Sequence, residues 1–253
     1  MPSEPPPTLL CAARDLFLGG SCAACGRQGS VLCPGCRGRL AHEAPGAPRA
    51  TRPEPSPPGL PPTWACGAYE GALRQLVVAH KEHGQQALAA PLGALLAESV
   101  LAALASVGDP VSRGRPVLLV PAPSRPSAVR ARGRDAALVL VRAAARTLRR
   151  RGVPVMVAPL LTTRAGLVDQ AGLGAEERAA NLDGSLWVRP ERLRRLSRRV
   201  PEVAGVVLCD DVVTTGATLT EASRALRAVG LPVLGAATVG ATGRRRTGPP
   251  GGS

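Results

Sequence analysis

Apolar residues recur at Leu73, Leu76 and Val77 between Glu70 and His83, with His80 continuing the same face, which predicts an amphipathic helix ending before Gly84. Ala87–Val107 is apolar almost throughout and predicts a longer helix, with Pro91 near its start. Asp135–Arg150 predicts another helix, stopped by Gly152. Short apolar runs at Pro116–Val120, Val153–Ala158, Ser185–Val188 and Val233–Val239 predict strands. Gly205–Cys209 is fully apolar, the pattern of a strand buried on both faces of a parallel sheet, and Thr220–Val229 predicts the helix after it. Strands alternating with helices predict an α/β fold, a parallel sheet flanked by helices on both faces.

The pattern breaks at residues 43–62, EAPGAPRATRPEPSPPGLPP, where prolines replace large apolar side chains and an extended, poorly packed linker is expected. This divides the chain into an N-terminal module (1–42), the linker, a main domain (63–240) and a tail (241–253) expected to be disordered. No internal repeat is visible. The N-terminus lacks the basic start and apolar run of a signal peptide, and no stretch reads as a membrane span, so a cytoplasmic protein is expected.

Composition narrows the possible partners. Apolar residues make up 45% of the 253, but aromatic residues only 2%, so Leu, Val and Ala must fill the core. Phe17, Tyr69, Trp64 and Trp187 are too few to stack on successive bases, which counts against single-strand recognition by stacking. Basic residues number 32 against 18 acidic, a net charge of +14, and Lys81 is the sole lysine. Such a balance favours polyanions or phosphorylated small molecules. The wholesale use of Arg, with abundant Ala, Gly and Pro, also fits a compositional bias that selects no surface at all.

The chemistry concentrates after the strand Gly205–Cys209, in Asp210, Asp211, Val212, Val213, Thr214, Thr215, Gly216, Ala217 and Thr218. Ligands of open α/β sheets sit at the carboxyl ends of strands. Thr214, Thr215, Gly216, Ala217 and Thr218 are small, so their backbone N–H groups can converge on a phosphate, helped by threonine hydroxyls and the dipole of the following helix. Two aspartates beside a phosphate need other partners, and vicinal ribose hydroxyls or Mg2+ fit them. Phosphate, ribose diol and divalent cation together describe 5-phosphoribosyl 1-diphosphate.

A diphosphate leaving group requires a second anion site. Ser124 and Arg125, in the turn after Pro116–Val120, are the candidates, although a stiff proline turn explains the same residues. The long connection Leu161–Gly184 carries Arg164, Asp169, Gln170, Arg178 and Asn181 and reads as a lid that excludes water, with solvated charges the plainer account. Part of it, Ala175–Leu182, fits a short helix.

Cys22, Cys25, Cys33 and Cys36 form two CxxC pairs, which supply four thiolates to one tetrahedral Zn2+ and leave no open position for catalysis. A metal would replace the core that roughly forty residues cannot build. A redox pair and an iron–sulfur cluster are the alternatives. Cys11, Cys66 and Cys209 have no partner spacing, and none of His42, His80 and His83 is a persuasive general base.

VVLCDDVVTTGATL, residues 206–219, resembles the signature loop of type I phosphoribosyltransferases, matched through Asp210, Asp211, Thr214, Thr215, Gly216 and Thr218. With the four-cysteine module, Tyr69-Glu70-Gly71, Val120-Pro121-Ala122-Pro123, Arg130-x-Arg132-Gly133 and the Asp169-Gln170 segment, the chain resembles the ComF family. That resemblance implies a type I phosphoribosyltransferase fold and an association with DNA uptake in competent bacteria. Two segments depart from the family pattern: Arg134-Asp135-Ala136 stands where Phe-Asn-Gln is usual, and His80-Lys81-Glu82-His83-Gly84 where Lys-Tyr-Gly is usual. Two functions follow as expectations. One is phosphoribosyl transfer from the Mg2+-bound donor to an unidentified acceptor. The other is a non-catalytic DNA-uptake accessory in which Arg146, Arg149, Arg150, Arg151 and Arg192–Arg199 contact single-stranded DNA or a helicase-type partner.

Overall fold

The structure is a computed structural model that describes residues 20–108, 114–124, 126–163, 184–200 and 202–243. In chain order the elements are helix α1 (Pro34–Glu43), strands β1 (Arg49–Thr51) and β2 (Thr63–Ala68), helix α2 (Gly71–Lys81), a 3-10 turn Gln86–Leu88, and helix α3 (Ala89–Ala105). Strand β3 (Val117–Pro121), helices α4 (Pro126–Arg132) and α5 (Ala136–Arg150), and strands β4 (Val155–Val157), β5 (Leu161–Thr163) and β6 (Leu186–Val188) follow. Helix α6 (Pro190–Arg199), strand β7 (Gly205–Val213), helix α7 (Ala217–Arg227) and strand β8 (Val233–Ala241) complete the chain.

The main sheet has the order β1-β2-β8-β7-β3-β4. The pairs β2–β8, β8–β7, β7–β3 and β3–β4 are parallel, and β1 closes one edge antiparallel to β2. Alternate residues of each central strand feed two separate cores. Val117, Leu119, Val207, Cys209, Ala237 and Val239 face one core with α2, α3 and α5. Leu118, Val120, Val206, Leu208 and Ala236 face the other with α7 and the β5–β6 ribbon. The expected parallel sheet covered on both faces is therefore present. β5 and β6 form a separate antiparallel pair that the alternation of patterns did not signal, each strand being three residues long.

Several boundaries shift for physical reasons. Asp135 is the N-cap of α5 rather than its first residue, accepting the Leu138 N–H at 3.2 Å. β7 runs four residues past Cys209, because β8 continues to pair with it through Val213↔Ala241. α7 starts at Ala217 rather than Thr220, directly after the Thr214–Gly216 turn. The stretch Gln86–Ala105, mean hydropathy 1.8, is long and apolar enough to cross a membrane, a feature missing from the sequence reading. It is a core helix here: Leu92, Leu96, Ala97 and Val100 are at most 1% exposed.

The Pro-rich residues 43–62 are extended but not detached. They supply edge strand β1, and Leu60 packs against the second core. The N-terminal module is joined to the first core through Cys22, Leu32, Cys33, Cys36, Leu40 and Ala44.

Candidate functional site

Chain order reverses between β3 and β7, since β3 leads outward to β4 and β7 to β8. A crevice at the carboxyl ends of two such strands is where open α/β sheets bind ligands. Here the β3–β7 ladder ends at Pro121↔Cys209, while β7 continues along β8 alone. Beyond that point the chain after β3 turns away, leaving a cleft of about 270 Å³ lined by Lys81, Glu82, Ser124, Arg132, Asp210, Asp211 and Thr218, among others.

Asp210 and Asp211 lie within β7 rather than in the loop after it. Strand alternation sends their side chains to opposite sides, yet both border the cleft. Each carboxylate accepts the next residue's N–H: Asp211 N–H to Asp210 Oδ1 at 2.8 Å, and Val212 N–H to Asp211 Oδ1 at 2.9 Å. Burial, then the neighbouring Asp211 charge, holds the Asp210 carboxyl above the usual carboxylate range, against the pull of Lys81. Asp211 is 8% exposed and is met by Lys81, whose Nζ lies 2.7 Å from Oδ2. Burial opposes the Lys81 charge, but Asp211 and Asp210 hold its pKa above the ordinary lysine value.

The turn after β7 is compact because Gly216 adopts φ +78°, and a Cβ there would lie 3.0 Å from Leu60 Cδ1 and 3.2 Å from Pro53 Cγ. The Pro-rich stretch thus buttresses the turn. Thr215 Oγ1 accepts the Ala217 N–H at 3.4 Å, and α7 begins with N–H groups that have no partner within the helix. Of the sequence-derived donor residues, Thr218 lines the cleft together with Asp210 and Asp211, whereas Thr214, Thr215, Gly216 and Ala217 form the adjoining turn and helix start.

Ser124 also lines the cleft, but its hydroxyl donates to Asp135 Oδ1 at 3.0 Å. Arg125 and the lid residues Arg164, Asp169, Gln170, Arg178 and Asn181 lie outside the described residues, as do Ala175–Leu182 and the tail from 244.

Sequence reasoning did not place Lys81, Glu82 or Arg132 in the site. Lys81 and Glu82 end α2, and Arg132 ends α4. Arg132 donates to the Lys81 carbonyl at 2.9 Å and to Glu82 Oε2 at 3.1 Å, and Arg134 donates to the His80 carbonyl at 2.5 Å. The segments His80–Gly84 and Arg134–Ala136 therefore bind each other. His80 Nε2 lies 3.3 Å from the Ala136 carbonyl as well. The available signal was the singular use of Lys in a chain otherwise restricted to Arg.

The ligand atoms of Cys22, Cys25, Cys33 and Cys36 all lie within 4.8 Å of one another, with Cys25 and Cys33 Sγ 3.6 Å apart. Zn–S bonds of about 2.3 Å in a tetrahedron put sulfurs roughly 3.8 Å apart, so the set fits zinc. Burial alone would raise the Cys22 thiol, but N–H groups of Cys33, Ala24 and Cys25 bring it down to about 6. Arg39 donates to Cys36 Sγ at 2.9 Å. The Cys22 contacts favour the thiolate, the ligand form, whereas Arg39 only partly offsets burial and the neighbouring cysteines, which push Cys36 up to about 11.

Comparison with known proteins agrees with this architecture. Residues 138–250 match the family model of the phosphoribosyl transferase domain, and the four-cysteine cluster lies ahead of the matched range. The matched range includes β7 and the turn after it, and starts after Lys81, Ser124 and Arg132. No curated protein matches the chain.

Proposed function

We propose that the cleft binds 5-phosphoribosyl 1-diphosphate with Mg2+ and transfers the phosphoribosyl group to an acceptor, in a cytoplasmic ComF-like protein. The observation that carries this reading is the convergence of Asp210, Asp211, Thr218 and Ser124 on one cleft at the reversal point of a parallel sheet. Asp210 and Asp211 hold the ribose hydroxyls, the N–H groups and hydroxyls of Thr214–Thr218 hold the 5-phosphate, and Ser124 with Arg125 faces the diphosphate. Hard carboxylate oxygens on one side and donor phosphates on the other suit Mg2+, which when bound offsets charge on the departing diphosphate. The four-cysteine cluster holds structural Zn2+, and the functional units are the module 1–42, the stretch 43–62 and the domain 63–240.

The test is calorimetry of the intact protein with phosphoribosyl diphosphate and Mg2+. Binding is expected, and the Asp210→Asn, Asp211→Asn double variant should lose at least two orders of magnitude in affinity. This is about 2.7 kcal/mol, within the range for charge-assisted hydrogen bonds lost from a buried site. No binding by the intact protein would sink the reading.

A second reading, polyanion binding to single-stranded DNA or a DNA-uptake partner, rests on α6. None of its residues is buried, and it carries Arg192, Arg194, Arg195, Arg198 and Arg199. Retention on single-stranded DNA that falls with salt and survives loss of the aspartate pair would favour it.

A further inference from the structure

We propose that Lys81 is a donor-site residue: its ammonium pairs with Asp211 before the donor binds and transfers to the diphosphate of the bound donor. This inference rests on the donor-site reading above and assigns a role that the 138–250 family match does not reach.

The argument starts from charge. An anionic ligand entering this cleft faces Asp210, Asp211 and Glu82, so it needs cations close by. Lys81 and Arg132 are the cations among the described lining residues. Arg132 is held in place: its Nε donates to the Ala128 carbonyl at 3.0 Å, one terminal nitrogen serves both the Lys81 carbonyl and Glu82, and its side chain is only 11% exposed. Ser124 donates its hydroxyl hydrogen to Asp135 and must turn it away from that carboxylate to serve the diphosphate. Lys81 differs. Its ammonium has three donors, and the contact it makes is to Asp211, the carboxylate that ribose hydroxyls or Mg2+ would claim.

The backbone around Lys81 is fixed while its side chain has room. Arg132 holds the Lys81 carbonyl and Arg134 the His80 carbonyl, anchoring the end of α2 against the segment after the Ser124 turn. The Lys81 side chain is 41% exposed, on a four-carbon stem that can change rotamer. Its anchors, Arg132 and Arg134, belong to the segment that follows β3 and Ser124, and Ser124 bonds Asp135 in that segment. An ammonium there that leaves Asp211 meets the diphosphate end of the ligand first. The exchange keeps charge balanced: the ligand and its cation take over Asp211 while Lys81 gains phosphate oxygens in place of a carboxylate.

Calorimetry on wild type, Lys81→Met and Lys81→Arg distinguishes the possibilities, with phosphoribosyl diphosphate, ribose 5-phosphate and inorganic diphosphate as probes, each with Mg2+. Lys81→Met should bind phosphoribosyl diphosphate and diphosphate at least tenfold more weakly, and ribose 5-phosphate within threefold of wild type. Lys81→Arg should recover part of the loss. Unchanged melting temperature establishes that the variants fold, as expected for a half-exposed side chain. Equal losses on ribose 5-phosphate and on the diphosphate probes, or no loss on any, would overturn the role of Lys81 while leaving the donor site intact. Wild type that binds none of the probes would overturn the donor-site reading and, with it, the role given to Lys81.

Discussion

His80 carries a pH signature near neutrality. Burial first, and then Arg134, hold its imidazole below its ordinary value of 6.5, although the Ala136 and Gln85 carbonyls favour the cation. The unfolded chain therefore takes up this proton first, and the folded state loses stability as pH falls through about 6.5. Denaturant titrations should show wild type losing stability relative to His80→Gln between pH 7 and pH 5, with the gap constant above pH 7; a gap independent of pH would contradict this. Gly216 makes a steric prediction. Alanine there meets both the cost of a left-handed backbone, about 1–2 kcal/mol, and contact with Leu60 at 3.0 Å. Gly216→Ala should lower the unfolding free energy by about 2 kcal/mol in urea and weaken 5-phosphate binding, whereas a neutral result would mean that the turn is not held in this form. Asp210, Asp211, Thr218 and Ser124, which residue type and spacing single out locally, all line the one cleft. Lys81 and Arg132 were not singled out, because their partners lie 130 and about 50 residues away in sequence.

At the scale of elements, the long periodic segments α2, α3 and α5 were legible from apolar spacing, while α1, α4 and α6 were not. α6 packs only Leu193 and Leu196, both partly buried, against the second core, too short an apolar pattern to mark it as a helix, although Pro190 at its start and Arg198 and Arg199 in its last turn suit one. The α3–α5 packing depends on one small residue: a Cβ on Gly93 would lie 2.6 Å from Ala143 Cβ. Gly93→Ala should therefore destabilise by about 1–3 kcal/mol despite the better helix propensity of alanine, and a stabilised variant would show that the helices separate freely. Another contact links the cysteine module to the cleft. Glu43, the last residue of α1, accepts the Leu73 N–H at 3.0 Å and so satisfies the first turn of α2, the helix that ends in Lys81. Glu43→Ala should cost about 1 kcal/mol, as loss of an N-terminal cap does.

For the whole molecule, the module is part of the same packed body as the sheet. Cys22, Cys33 and Cys36 sit in the first core, so a metal held by the cluster would be linked to the fold. Purified protein should carry one zinc per chain, and chelation should lower the melting temperature of the entire protein rather than melt the module alone. A separate early transition with the main transition unmoved would count against that linkage. What the sequence by itself determined was the α/β class and the acidic pair beside a turn of small residues, together with four thiols at metal spacing, because each is written in local periodicity or in residues a few positions apart. What tertiary structure alone decided was the strand order and the cleft it opens beyond Pro121↔Cys209, along with the Pro-rich buttress under Gly216 and the lysine opposite Asp211. These depend on contacts between segments far apart in the chain, where the burial of apolar faces, rather than any local pattern, selects which side chains meet.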